Sequence, residues 1–207
     1  MAETPRNADN SRATVLTPDV IRQALERLAA ILDENGIAAN ITVYGGASLA
    51  LGIFANDRTA TADVDGAYSP VAPIEDAATQ VADELQLAPG WLNNRMQGFL
   101  PPDGIDDSRE FIERGGVTIT LGSARTLLAL KLRASRPNRD FEDIAVLIRA
   151  CNITTVTECE ALVEEFFLGE EEIPPRGYKL LELAFDGVTV RNANPPYMLA
   201  AVPRPRG

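Results

Sequence analysis

Apolar and polar positions alternate along this chain with periods that define most of its elements. Leu16-Thr17-Pro18 opens a helix, with Thr17 as N-cap and Pro18 at the first helical position. Ile21, Leu25, Leu28 and Leu32 then repeat at helical spacing, and Gly36 closes the element. Residues 41–44 are a short β-rich run that ends at Gly45-Gly46, and the nearly all-apolar residues 47–54 read as helix. Residues 62–68 read as a second strand and 117–121 as a third. Residues 74–87 form an amphipathic helix with Ala77, Val81 and Leu85 on one face. Further helices are expected over 125–134, 141–151, 156–168 and 177–185. Residues 88–115, with Trp91, Pro101, Pro102 and an acidic stretch over 103–113, read as irregular. The polar segment 1–14 has little to bury and reads as a disordered tail, and the Pro- and Asn-rich segment 191–207 as a C-terminal arm. Between them, residues 15–190 are expected to form one domain of the α/β (α+β) class, a small sheet of three short strands flanked by helices, with a helical extension over 151–190.

Composition narrows the chemistry. The 207 residues contain no histidine, which excludes Ser-His-Asp and Cys-His catalysis and His-ligated zinc. The two cysteines, Cys151 and Cys159, cannot build a tetrahedral zinc site alone and suggest no disulfide scaffold. Chemistry near neutral pH therefore falls to carboxylates, lysine, hydroxyls or a cation held by oxygen. The apolar content of 45% supports a substantial core, yet no apolar run reaches membrane-spanning length and the N-terminus lacks a signal-peptide stretch. The expectation is a cytoplasmic protein without a membrane partner. With 19 Lys and Arg against 30 Asp and Glu, the net charge of 19 − 30 = −11 argues against non-specific coating of nucleic acid.

Three groups of residues could carry chemistry. In the first, a strand runs into Gly45-Gly46-Ala47-Ser48 and a helix, and Asp63 and Asp65 follow two apart on the next expected strand. A double glycine lets backbone approach a ligand closely, and a helix start offers N–H groups to phosphate. Two carboxylates on one strand face repel unless a cation lies between them, and Mg²⁺ held by carboxylates and substrate phosphates suits that geometry. Each half taken alone also reads as an ordinary turn or a solvated edge. In the second, Lys131 shares a helix face with Leu127 and Leu128. It either meets phosphate or a carboxylate, or snorkels at the core rim. In the third, Asn138 or Asp140 would cap the helix that contains Glu142 and Asp143. Around it, Arg125, Lys131, Arg133, Arg136 and Arg139 form a basic cluster that either offsets Asp140 and Asp143 or contacts polyphosphate or an RNA backbone.

Gly45-Gly46 with its following helix, then Arg58-x-x-Thr61-x-Asp63-x-Asp65, resembles the polymerase-beta-type nucleotidyltransferase superfamily. The stretch from Leu128 through Lys131 and Arg136 to Asp140 and Asp143 is similar to its AbiEii-type toxin branch, and Pro89-Gly90-Trp91-Leu92-Asn93 to a run in one group of uncharacterised relatives. The resemblance covers about residues 17–150. It implies a minimal mixed sheet that carries the two aspartates, flanked by helices, and a helical C-terminal part. It implies transfer of a nucleoside monophosphate from a nucleoside triphosphate to a hydroxyl of RNA or protein, with the chain acting as a toxin beside an antitoxin protein. Asp63 and Asp65 would then hold Mg²⁺ (or Mn²⁺). Gly45, Gly46, Ala47 and Ser48 would cradle phosphates, with Arg58, Thr61, Arg136 and Asp143 around the nucleotide. Lys131 would neutralise phosphate charge, and Asp140 matches the last motif. The strand over 117–121 has threonines where the superfamily often supplies a third carboxylate. Asp106, Asp107, Glu110 or Glu113 would replace it if that loop folds inward. The alternative is a catalytically degenerate nucleotide-binding or protein-interaction module on the same fold.

Overall fold

The computed structural model describes residues 15–53, 60–100, 108–168 and 172–186. Its described residues divide into two compact units. One comprises the residues up to Arg95 together with Glu110–Thr120; the other comprises those of Met96–Arg109 and from Leu121 onward.

The first unit begins with α1 (Pro18–Glu34), capped as its sequence requires: the Thr17 side chain accepts from the Val20 N–H. Ile21, Leu25, Leu28 and Leu32 are fully buried on its inner face. Strand β1 (Ala39–Val43) leads into α2 (Gly45–Ser48), which continues as a π-helical turn over Leu49–Ile53. The regular helix expected over 47–54 is therefore a single α-turn and a wider one. Strand β2 (Val64–Ser69) pairs antiparallel with β1, with Thr42 opposite Ala67 and Val43 opposite Gly66. Helix α3 (Val71–Leu85) follows and packs on β2 and against α1.

Residues 88–115, expected to be irregular, supply two more strands. The two-residue β3 (Leu92–Asn93) lies parallel to β2, with Leu92 opposite Val64 and Asn93 opposite Asp65. After a 3-10 turn over Arg95–Phe99 comes β4 (Arg109–Arg114), joined through Gly115 and Gly116 to β5 (Val117–Leu121). The sheet thus has five strands in the order β3-β2-β1-β5-β4 rather than three. Strand β3 is too short for a periodic signal, and β4 carries four charged residues among its six, a composition typical of an edge strand and easily read as loop. Alternation gives the sheet two faces. Ile41, Val43, Val64, Tyr68, Val117 and Ile119 are buried on one, and the Tyr68 hydroxyl meets Glu75 of α3 there. Thr42, Asp65, Ala67 and Thr120 are half-buried on the other, where the Thr120 hydroxyl donates to Thr42 at 2.9 Å.

The second unit is helical: α4 (Ala124–Ala134), α5 (Phe141–Ala150), α6 (Val156–Phe167) and α7 (Pro175–Phe185). Helix α4 contacts each of the other three. Its buried Leu127, Leu128 and Leu132, with Ile144, Leu147, Leu162, Phe166 and Leu181, form the core. Ser123 and Thr155 cap α4 and α6, the latter in a full capping box with Glu158. Gly177 passes so close to the Ser135 side chain that no β-carbon fits there. No helix among the described residues is long and apolar enough to cross a membrane.

Trp91 holds β3 in place. It is 2% exposed, its indole N–H donates to the Ala78 carbonyl of α3 at 2.9 Å, and its own carbonyl accepts from the Val64 N–H. Trp91→Ala should cost about 3–5 kcal/mol of stability, measured by urea unfolding followed by circular dichroism. A loss below about 1 kcal/mol would contradict this seat for β3.

Candidate metal and phosphate site

The expected strand over 62–68 starts at Val64, so Asp63 stands one residue before β2 and Asp65 is its second residue. Both are half-buried. Asp63 is held at its carbonyl and at its carboxylate. The Thr61 hydroxyl donates to the Asp63 carbonyl at 3.2 Å, and Thr61 itself is held by paired backbone hydrogen bonds with Leu16. On the side-chain end, Asn93 Nδ2 donates to Asp63 Oδ2 at 3.2 Å. Thr61, expected beside the nucleotide, braces the Asp63 backbone.

Asp65 meets the glycine turn directly. Tyr44 N–H donates to the Asp65 carbonyl at 2.8 Å, which carries the β1–β2 pairing up to the turn. Gly45 has φ +60°, and a β-carbon placed on it would lie 2.8 Å from Asp65 Oδ2. Glycine suits this position through its left-handed backbone, and a β-carbon here would also displace the tip of the Asp65 carboxylate. The turn that would cradle phosphate thus lies against one of the two carboxylates that would hold a cation, that of Asp65. Helix geometry leaves the first N–H groups of α2 without intrahelical acceptors, while the Ser48 N–H bonds the Tyr44 carbonyl at 3.3 Å. Ser48 and Ala47 are buried, so Gly45 and Gly46 form the accessible part of the turn. With α2 only four residues long, little macrodipole acts here, and any phosphate contact rests on local N–H groups. Arg58 lies outside the described residues, as do Asp106 and Asp107.

An Mg²⁺ or Mn²⁺ ion fits the donor chemistry of this corner. All its side-chain donors are oxygens, and Asp63 Oδ1 has no partner among the described residues. Such a cation takes one or two carboxylates and completes its coordination with phosphate and water oxygens. Glu110 and Glu113 do not join it: they are exposed on β4, at the far edge of the sheet from β3, because that segment forms an edge strand rather than an inward loop. Among the described residues no three acidic or cysteine side chains converge.

Asn93 is the site residue that the hydrophobic pattern does not reveal. It sits within Trp91-Leu92-Asn93, and its place beside Asp63 depends on the parallel pairing of β3 with β2. That pairing joins residues about thirty apart in the chain and leaves no local periodicity.

The second unit brings together Lys131, Arg136, Asp140 and Asp143. Lys131 is 9% exposed, and its Nζ lies 2.8 Å from Asp140 Oδ1 and 2.7 Å from Asp143 Oδ2. The Asp140 contact is a hydrogen bond; the Asp143 contact is a charge contact without hydrogen-bond alignment. Asp140 is wholly buried and also accepts from the Arg136 guanidinium at 3.0 and 3.1 Å and from the Arg136 N–H at 2.9 Å. Lys131 therefore meets carboxylates rather than snorkelling. Asp140 occupies the N-cap position of α5, but its side chain makes no cap bond, and Asn138 does not cap the helix. Burial disfavours ionisation of Asp140, yet hydrogen bonds from Arg136 and Lys131 outweigh it and hold the carboxyl below its ordinary value.

These contacts resolve most of the basic cluster in favour of internal compensation. Arg125 pairs with Glu165 at 2.7 Å, and Arg133 stacks on Phe99 and Phe167 while donating to the Phe99 carbonyl. Of the five basic residues, Arg139 alone shows no partner among the described residues. Asp140→Ala should cost about 3–5 kcal/mol, because it leaves buried cations undercompensated. Since the folded carboxyl titrates below the unfolded one, its stabilisation is complete above the ordinary value of about 3.9 and fades as pH falls through the lower folded value. Urea midpoints of the wild type should fall more steeply through that acid window than those of Asp140→Asn; equal pH profiles would contradict this assignment.

Comparison with known proteins gives no match: no family model, no curated protein and no solved structure corresponds to this chain.

Proposed function

We propose that the chain is a Mg²⁺-dependent nucleotidyltransferase. The observation that carries this reading is the contact of Gly45 with Asp65, beside Asp63 and at the end of β1. It sets a close-approach backbone turn against the Asp65 carboxylate, with Asp63 two residues before it in the chain, and a turn beside paired carboxylates is what a metal-bound triphosphate needs. Asp63 and Asp65 would hold the cation, which when bound would neutralise charge on the phosphates. Gly45 and Gly46 would receive the terminal phosphates on backbone N–H groups. The bond between the α-phosphorus and the pyrophosphate oxygen would break, a bond to the acceptor hydroxyl would form, and the hydroxyl proton would leave. With no histidine in the chain, catalysis would rest on positioning and electrostatics. Lys131 would have to exchange a carboxylate for a phosphate oxygen to act as the resemblance implies. We therefore give Lys131, Arg136, Asp140 and Asp143 structural weight and place the chemistry on Asp63 and Asp65. The acceptor class, RNA or protein, and a toxin role with an antitoxin partner rest on the resemblance alone.

A degenerate, nucleotide-binding module is favoured by one observation: β5 presents Thr120 on the face of Asp65, with its hydroxyl spent on Thr42 where a third acid would help catalysis. One assay separates the two. Wild type incubated with labelled nucleoside triphosphates, Mg²⁺ and bulk tRNA or protein should transfer label, and Asp63→Asn should reduce transfer by about 100-fold or more. Nucleotide binding without transfer would establish the module instead. Transfer that Asp63→Asn leaves unchanged would remove this site from the reaction.

A further inference from the structure

Asn93 makes more contacts than its turn requires. Its Oδ1 accepts the Arg95 N–H at 3.2 Å, a local bond that short polar side chains often make where a strand gives way to a turn. That bond fixes which end of the amide faces where. The Nδ2 end is turned toward β2, where it donates to Asp63 Oδ2 at 3.2 Å and lies 3.5 Å from the Val64 carbonyl. The residue is 9% exposed, and the parallel register places it opposite Asp65. The strand that carries it is held by Trp91 to both α3 and Val64.

The choice of side chain is informative. An aspartate would accept the Arg95 N–H as well as asparagine does, so the turn alone does not demand an amide. It would, however, set a further negative charge about 3 Å from Asp63 Oδ2, where like charges strongly disfavour joint ionisation. Alanine or leucine would leave Asp63 Oδ2 without its donor. Only a short, neutral side chain with an acceptor for Arg95 and a donor for Asp63 satisfies both neighbours. One oxygen of Asp63 is thereby occupied and its carboxylate plane fixed, while Oδ1 keeps no partner among the described residues.

We infer that Asn93 is a positioning residue for a divalent-cation site: by holding Asp63 Oδ2 it presents Asp63 Oδ1, together with Asp65, to the metal. This rests on the reading of Asp63 and Asp65 as metal ligands. Outer partners of metal-ligating carboxylates orient the ligand, and their loss typically weakens metal binding about 10- to 100-fold.

The test is Mn²⁺ binding to the full-length protein, followed by the electron paramagnetic resonance signal of free Mn²⁺, for wild type, Asp63→Asn, Asn93→Ala and Asn93→Ser. The serine variant keeps a short acceptor for the Arg95 N–H and cannot reach Asp63, so it tests the positioning bond if the alanine variant misfolds. Trp91 is the only tryptophan in the chain and lies two residues away on the same segment, so its emission maximum reports whether β3 stays seated. The inference predicts Mn²⁺ affinity weakened about 10- to 100-fold by a change at Asn93, with the Trp91 emission unchanged. Wild-type affinity in both Asn93 variants, with binding lost in Asp63→Asn, would overturn the role of Asn93 and leave the metal site standing. Weakened affinity that appears only with a shifted Trp91 emission would assign Asn93 to strand docking and also overturn the inference. Absence of Mn²⁺ binding in wild type would overturn the metal site and, with it, the role of Asn93.

Discussion

The first unit depends on one close approach. The chain leaves β1, turns at Gly45 with a positive φ, and passes within contact distance of the Asp65 carboxylate on the neighbouring strand. Any residue other than glycine would need a backbone conformation that L side chains disfavour by about 1–2 kcal/mol, and its β-carbon would push the Asp65 carboxylate tip aside. A strand-to-helix turn serves topology equally well with a few ångströms of clearance. Here the clearance is gone, and what fills it is a charged group on a half-buried, polar sheet face. That face carries Thr42, Thr120 and Asp65, with Asn93 and Asp63 at one end, while the apolar face beneath supplies the cohesion. Strand alternation thus sets the polar residues on one face and the apolar core on the other.

The second unit places its polar groups differently. Lys131 and Asp140, among the most buried charged groups of the described residues, neutralise one another between α4 and the start of α5, with Arg136 and Asp143 completing the set. Burying Lys131, Asp140 and Asp143 is costly, and their mutual pairing, with the exposed Arg136 guanidinium on Asp140, offsets much of that cost only while all partners are present. The set ties the last turn of α4 to the start of α5 across their connection. It also explains why a dense run of basic residues in an acidic protein need not mark a surface for nucleic acid: most of these cations are used at home.

The helices and strands β1, β2 and β5 were legible in the sequence because their signals are local. Thr17-Pro18 marks the start of α1, and Val117–Leu121 matches β5 at both ends. Gly45-Gly46 and the Asp63/Asp65 pair stood out in the sequence as candidate chemistry because glycine and paired carboxylates are informative residue types in that order, and the structure sets Gly45 against Asp65. Strands β3 and β4 were not legible, since two residues carry no period and a charged edge resembles a loop. Asn93 escaped the pattern because its meaning lies in a contact with Asp63 across a parallel pairing. Asp140 read as a helix cap by position, but its carboxylate is drawn to Lys131 and Arg136, which offer charge-assisted bonds stronger than a neutral cap.

The most direct test of the account is a crystal soaked with Mn²⁺ and a non-hydrolysable nucleoside triphosphate, with anomalous scattering used to place the metal. The account predicts Mn²⁺ within coordination distance of Asp63 Oδ1 and the Asp65 carboxylate, with phosphate oxygens on the N–H groups of Gly45 and Gly46. Metal and triphosphate bound away from this corner, with the Asp63 and Asp65 carboxylates untouched, would contradict it.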